Sequence, residues 1–422
     1  MLRSMFAAIS GLRNHQTMMD VVGNNIANIN TTGFKGSNTV FSEVLSQTIR
    51  GAGAATSSGG GSNPTQIGLG SRIAAVTSSF SQGAMQRTNR STDFAIQGDG
   101  FFAIDQGGEK LYTRAGAFSV DALGRLVNQE GGLVQGWAAQ AGSVATTGPV
   151  GPIVIPVGDL IPPVRTANMN IGGNLPSDAA VGTVVVSAAD VFDGQGTSVN
   201  LRFEFSKTGT DQWAVVARYV DAAGILQPTP PAAGQALAGG ALTFDSAGKL
   251  TSGASLTVPA GFIPGFTTQS VNVNFGTAAQ PNHLSQFGKL TSVAVLDQDG
   301  QSAGSLQGFS VSQDGLLSGS YTNGRTRPIG QIALTNFANP EGMEKAGGST
   351  NYRATVNSGL PQVGVAGAGG RGFISGGALE MSNVDLAQEF TNLIIAQRGF
   401  QANSRVVTTS DEMLQEVVNL KH

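Results

Sequence analysis

The chain contains no cysteine, which excludes disulfides, thiolate metal sites and cysteine nucleophiles together. Its three histidines, His15, His283 and His422, stand far apart in sequence, which argues against a histidine-based metal cluster or catalytic triad. Charged residues make up only 12%, against roughly 25% in ordinary soluble domains. A net charge of −3 leaves no basic footprint for nucleic acid or an anionic membrane. There is no apolar run of the ~18 residues that a transmembrane helix needs, so no membrane insertion is expected. The opening stretch MLRSMFAAISGL faintly imitates a signal peptide but has no proper cleavage site, and it reads as mature structure.

Glycine, by contrast, is abundant: 60 of 422 residues, about twice its ~7% average share. Few charges and many glycines suit a turn-rich β protein, or one whose surface is buried against copies of itself. The length allows about two to four domains.

The two ends differ from everything between them. Leu2, Met5, Ile9, Leu12, Gln16, Met19, Gly23 and Ile26 follow a 3–4 spacing that predicts a narrow apolar stripe on a helix, the geometry of a coiled-coil seam. Near the other end, Ser382 and Asp385 predict a capping box. The same spacing then continues through Leu386, Phe390, Leu393, Gln397, Phe400, Ser404, Val407, Asp411, Leu414 and Val418. A pairing of the two ends within one molecule is expected. Ile394, Ile395, Val406, Met413, Val417 and Leu420 lie off that stripe, and a two-helix pair does not bury so wide a face. Packing against neighbouring molecules, and hence polymerisation through the ends, is expected.

The middle reads as β. A pattern of Asp followed three residues later by Gly recurs between apolar runs at 118–127, 242–251 and 293–302, with a looser relative at 309–319. It predicts a type I turn closed by a glycine at positive φ. DFAIQGDGFFAID (93–105) adds apolar runs around a Gly-Asp-Gly turn, and further strands are expected at 182–192, 199–205, 213–220 and 328–337. Residues 51–63 read as a flexible linker and 364–372 as a hinge. The Pro-rich stretches 149–163 and 228–231, with 278–282, bracket or interrupt a central β segment.

No constellation argues for catalysis. GQSAG at 300–304 matches a nucleophile elbow around Ser302, yet it lacks the strand-then-helix context that strains such a turn. DQDG at 297–300 offers two carboxylates without the rest of a calcium loop. The GGGS at 59–62 lacks a following Lys-Ser/Thr pair. No enzyme activity, cofactor or metal is expected.

Four stretches carry a resemblance: NNIANINTTGFK (24–35), TDFAIQGDGFFAI (92–104), YTRAGAFSVDALGRLV (112–127) and the 382–414 segment beginning SNVDLAQEF. They resemble the rod and hook axial proteins of the bacterial flagellum. The length, the 284–355 stretch and GGALEMSNVDL (376–386) resemble the hook members of that family; a distal rod subunit is expected to be shorter and to lack the central insertion.

The resemblance implies a multidomain fold. Long amphipathic helices from both termini (1–28 and 382–422) form a coiled-coil-like inner domain lining a channel. A connecting segment (29–72 and 373–381) leads to an inner β domain (73–147 and 284–372), which carries an inserted outer β domain (148–283). It implies a structural subunit that polymerises with itself into a curved tube, a universal joint carrying motor torque around an export channel. Partners implied are the distal rod protein, the hook cap, the hook–filament junction proteins and the type III export apparatus, with an extracellular location reached without a cleaved signal peptide. The rival readings are another axial protein such as a distal rod subunit, and a secreted β-rich adhesin.

Within this frame the polar tract Asn24, Asn25, Asn28, Asn30, Thr31, Thr32, Gly33 and Phe34 is expected to join helix to β domain. Its amide side chains would tie turns to neighbouring backbone, and Phe34 would anchor the exit.

Overall fold

The computed structural model describes residues 2–55, 60–140, 142–158, 160–221, 224–227, 239–266, 269–276, 283–346 and 350–419. The expected linker stretches at 228–231 and 278–282, the off-stripe Leu420 and the side chain of Leu2 lie outside the described residues. The chain divides into two compact units. One comprises Met1–Val157, Phe309–Gly319 and Thr326–His422, and the other Gly158–Gly308 and Ser320–Arg325.

In the first unit, helix α1 (Leu2–Ala27) and helix α2 (Leu386–Asn419) pack together at the two chain ends. An antiparallel ribbon, Ser37–Glu43 with Ser71–Ser78, lies against α1. A second ribbon, Ser46–Arg50 with Thr65–Gly68, is prolonged by a two-way backbone bridge between Gly53 and Ser62. The stretch expected to be a linker at 51–63 is therefore in part the far end of a hairpin. The backbone groups of Gly53 and Ser62 are satisfied by each other, not by water.

Beyond the ribbons, strands Thr326–Ile332, Leu133–Gln140, Phe101–Gln106, Glu109–Thr113, Asn351–Arg353 and Glu344–Lys345 lie side by side. The Gly-Asp-Gly stretch does not fold its flanks onto each other. Phe94–Gln97 pairs with Phe373–Gly376, while Phe101–Gln106 pairs with Glu109–Thr113. Phe101, Tyr112, Phe337 and Tyr352 form an aromatic cluster with edge-on ring contacts, Phe337 lying 4.8 Å from Tyr112 and 6.0 Å from Phe101. Such edge-to-face contacts match the positive ring rim to the negative ring face.

The second unit holds two sheets around one core. The six-stranded antiparallel sheet contains Val184–Phe192, Ser198–Gly209 and Gln212–Val220. Alternation puts Leu201, Phe203, Phe205, Trp213, Val215 and Ala217 inside, with the residues between them partly exposed. The five-stranded sheet is mixed: Asn168–Pro176 runs parallel to Val271–Asn274 and Leu284–Phe287 but antiparallel to Ala294–Gln298. Pairing of those last two strands extends this unit past the expected 148–283. Met169, Ile171 and Leu175 from this sheet, with Phe275 just past the end of Val271–Asn274, join the residues above in one buried cluster.

The Asp-x-x-Gly turns recur more often than the spacing suggested. Asp121 Oδ1 accepts from the N–H groups of Leu123 and Arg125, and Asp245 Oδ1 from those of Ala247 and Lys249; Gly124 and Gly248 sit at φ 78° and 77°. Asp193 with Gly196 repeats the device, as does Asn128 with Gly131. The expected third case at 297–300 differs. Asp297 lies inside a strand and accepts from Asn170 Nδ2 at 2.6 Å, because its neighbours are committed to the pairing with Asn168–Pro176.

Phe203 is fully buried in the second unit. Phe203→Ala is expected to lower its stability by about 3–5 kcal/mol. The chain has two tryptophans, so in a Trp137→Phe background Trp213 fluorescence reports this unit alone, and its denaturation midpoint should fall.

Candidate functional site

The helix pair is built on small residues. On α1 the buried positions are Ala8, Gly11, Asn14, Val22 and Asn25; on α2 they are Glu389, Ala396 and Ser410. A Cβ at Gly11 would fall 2.7 Å from Asn403 Nδ2, and one at Gly399 would fall 2.4 Å from His15 Nε2. Asn403 Nδ2 in turn donates to the Gly399 carbonyl at 2.9 Å. Bare backbone at these two positions is what lets the helices approach so closely.

This seam is rotated from the expected stripe. Met5, Ile9, Leu12, Met19 and Ile26 are only half-buried, and Ile9, Leu12 and Ile26 each follow a buried residue by one position. On α2, Leu393, Val407 and Leu414 are half-buried, but Leu386, Phe390, Phe400 and Val418 are exposed. The intrachain contact lies on the side of each helix where Gly11 and Gly399 allow close approach, not on the expected stripe. The larger side chains are left facing away: Phe390, Ile394, Ile395, Met413 and Val417 are each 51–56% exposed.

The start of α2 also differs from expectation. Asp385 is itself the cap, accepting from the N–H groups of Ala387 at 2.8 Å and Gln388 at 3.3 Å. Ser382 Oγ accepts from Val384 N at 3.3 Å in the turn before the helix. The capping box fails because the helix begins at Leu386, too far along for Ser382 to reach its first turn.

Between α1 and the β strands, the polar tract is wired in both directions. Asn25 donates to the Ser37 carbonyl and to Glu389 Oε1, at 2.8 and 3.0 Å, and accepts from Ser37 N at 2.9 Å. Asn28 Nδ2 donates to the Asn24 carbonyl and side chain, and Thr31 Oγ1 donates to Asn28 Oδ1. Gly33 has φ 70°, and a Cβ there would lie 2.4 Å from Ala115 N, so both conformation and space require glycine. Phe34 is fully buried, with the Lys345 ammonium 5.2 Å from its ring centre. Asn30 is exposed, and Thr31 and Thr32 line a polar recess with Thr113, Asn128, Glu130 and Asn351.

At the end of this tract lies a buried charge cluster that the sequence spacing did not identify. Lys35 Nζ sits 2.6 Å from Glu380 Oε1 with both side chains fully buried, and Arg114 Nη1 is 3.3 Å from Glu380 Oε2. Glu380 Oε1 also accepts from Gly83 N at 3.0 Å, and Lys35 donates to the Ser81 carbonyl at 2.7 Å. Burial pushes the Lys35 ammonium below its ordinary pKa, while the Glu380 carboxylate pulls it back up. Gly33 N donates to the Glu380 carbonyl, and Gly36 N to Asn383 Oδ1. Segments more than 340 residues apart in sequence thus meet at one carboxylate. The signal was present: a lone Lys after Gly33-Phe34 and a lone Glu inside the apolar strand Ala378–Glu380.

Glu380→Ala is expected to strand two buried cations and to cost about 3–5 kcal/mol. In a Trp213→Phe background, Trp137 fluorescence should show an earlier denaturation midpoint for the first unit. Gly33→Ala should act in the same direction, through positive φ and contact with Ala115.

Among the described residues no group of three or more His, Cys, Asp or Glu is placed to hold a metal ion, and no described helix is long and apolar enough to cross a membrane.

Four family models match the chain in tandem. They are a flagella basal body rod protein model over 5–35, the flagellar hook protein FlgE/F/G D1 domain over 95–174, the flagellar basal body protein FlaE D2 domain over 173–301, and the flagellar basal body rod FlgEFG protein C-terminal model over 375–420. The flagellar hook protein FlgE of Borreliella burgdorferi is 38% identical, with 100% of each chain covered. The flagellar basal-body rod protein FlgG of Bacillus subtilis is 32% identical, again with 100% of each covered. Extent therefore does not separate rod-named from hook-named relatives, contrary to the expectation drawn from length. The crystal structure of Helicobacter pylori flagellar hook protein FlgE2 shares the fold, with a TM-score of 0.52 at 15% identity over 68% of this chain and 98% of that one. By identity along its whole length and by the hook protein D1 domain model over 95–174, the chain belongs to the flagellar hook protein family, the structural subunits of the bacterial flagellar hook.

Proposed function

We propose that the subunit polymerises with itself through the outward faces of α1 and α2, building a curved tube around an export channel. The observation that carries this reading is the division of labour on the helices. Glycines at positions 11 and 399 let the helices approach within the chain, while Phe390, Ile394 and Ile395 are each left more than half exposed. Apolar surface on that scale needs a partner, and in a homopolymer the partner is another copy.

In this reading the helical ends line the channel as a coiled-coil-like inner layer, and the two β units form outer layers. The tube acts as a universal joint, passing motor torque to the filament while it bends. Its end contacts are the distal rod protein on one side and the hook–filament junction proteins on the other, with a hook cap guiding assembly. The subunit reaches the outside through the type III export apparatus, without a cleaved signal peptide. The polar tract 24–34, tied to Glu380 and Glu389, is the joint that carries load from helix to β unit. A straight, rod-like polymer is the second reading, supported by the 32% identity to the rod-named Bacillus subtilis relative.

Ile394→Asp is expected to leave the monomer's thermal unfolding unchanged, because the side chain is 56% exposed, and to abolish polymer formation by burying an unpaired charge in the assembly. Sedimentation and negative-stain microscopy of the purified protein read both; wild-type amounts of polymer from the variant would refute the helical contact. Curved tubes from the unmodified chain support the joint, and uniformly straight ones support the rod reading.

A further inference from the structure

We propose that Asn323 is a modification site: its side chain closes on the Gly324 nitrogen to a succinimide in the unfolded chain, and the folded second unit holds that reaction off. Asn323-Gly324 is the one Asn-Gly pair in the sequence. Glycine suits the step because no Cβ shields its nitrogen. In the reaction the Gly324 nitrogen bonds to Asn323 Cγ, the Cγ–Nδ2 bond breaks, and ammonia leaves with the Gly324 amide proton. Water then opens the ring. Attack at Cγ gives aspartate, and attack at the Asn323 main-chain carbonyl gives isoaspartate, whose backbone runs through one extra methylene. No co-reactant other than water is needed.

In the fold, both ends of that reaction are engaged elsewhere. The Gly324 N–H donates to the Tyr321 carbonyl at 2.9 Å, within a turn closed by Tyr321 N donating to the Arg325 carbonyl at 2.9 Å. The leaving amide is committed too: Asn323 Nδ2 donates to the Ser302 carbonyl at 3.0 Å, and Oδ1 accepts from Arg325 N at 3.2 Å. Asn323 Cγ packs against bare backbone at Gly304, where a Cβ would fall 2.6 Å away. Thr322 adds two more bonds to the same segment, its N–H donating to the Ser305 carbonyl at 3.0 Å and its Oγ1 accepting from Ser305 N at 3.0 Å. All of these residues belong to the second unit. The ring closes only after the turn opens, so the rate in the folded chain is the unfolded rate scaled by the population of the open turn.

The product does not remake the contact. A carboxylate has no N–H to give the Ser302 carbonyl, so two acceptor oxygens face each other at a half-buried side chain and that carbonyl loses its side-chain donor. Isoaspartate also lengthens a turn whose span is fixed by the two backbone bonds between Tyr321 and residues 324 and 325. Asn323 is therefore a tie between the turn and Ser302–Ser305 that time spent unfolded cuts irreversibly. A promptly folded chain keeps the tie, and a chain held open accumulates the mark.

To test this, the full chain is aged at mildly alkaline pH, native or unfolded in guanidinium. The Asn323 peptide is scored by mass spectrometry for the amide-to-acid change and by isoaspartyl methyltransferase for isoaspartate. Conversion in the native chain should be at least about tenfold slower than in the unfolded chain. Equal rates would overturn the guarding role, and no conversion in the unfolded chain would overturn the site itself. Thr322→Val removes the acceptor for Ser305 N; it should speed conversion in the native chain and leave the unfolded rate unchanged. An unchanged native rate counts against the turn contacts as the guard. N323D supplies the aspartate product directly. In the Trp137→Phe background its Trp213 fluorescence should show an earlier denaturation midpoint than the parent, and a matching midpoint would overturn the loss of the tie. Chains aged unfolded and then refolded give the same readout without a substitution at 323: their midpoint should fall as the converted fraction rises, and a constant midpoint counts against the proposal.

Discussion

A carboxylate buried with two cations sets the terms for the first unit. Glu380 is out of water, and so are Lys35 and Arg114. Any one of them without the others leaves a charge in a low-dielectric interior at a cost of several kcal/mol. The exit of α1, the turn at Arg114, the segment at Ser81 and Gly83 and the strand leading to α2 must therefore arrive together or not at all. Such a cluster adds little net stability relative to a well-packed apolar one. Its effect is on geometry: it fixes where α1 leaves the β structure and where α2 enters. The hydrogen bonds nearby, from Asn25 to Glu389 and from Gly36 to Asn383, hold the same two strands of chain at neighbouring points.

With that junction fixed, the helices meet on a seam of Gly, Ala, Asn and Ser. Close approach maximises dispersion contacts between backbones but buries little apolar area. A pair held this way is modest by itself and leaves its large side chains available. The hook subunit's fold is in this respect the inverse of an ordinary coiled coil, where the large side chains are spent on the intrachain partner.

Much of this was legible in the sequence. Helical spacing at both ends, alternation in Leu201, Phe203 and Phe205, and the turns at Asp121 and Asp245 all correspond to elements observed. These are local patterns, set by periods of 3.6 and 2 or by one side chain reaching its own backbone. What spacing did not give is what depends on distant chain. The face of α1 that turns inward is chosen by Asn403 and by the ribbon at Ser71, not by α1's own pattern. The strand at 294–298 takes Asp297 out of its expected turn because Asn168–Pro176 needs a partner. Ser382 misses the helix it was expected to cap because α2 starts where the buried strand Ala378–Glu380 and Asn383 release the chain. Lys35 and Glu380, flanked by recognisable motifs, carried no periodic mark at all.

The separation between Lys35 and Glu380 has a consequence in time. They lie 345 residues apart, so Lys35 stays without its partner until almost the entire chain has been delivered. Contacts of such range form late and make folding slow. For a chain made from its N-terminal end, the buried charge at the junction thus works as a delay. The early segments gain no completed site to collapse onto, and the site closes only when the strand Ala378–Glu380, just before α2, is at hand.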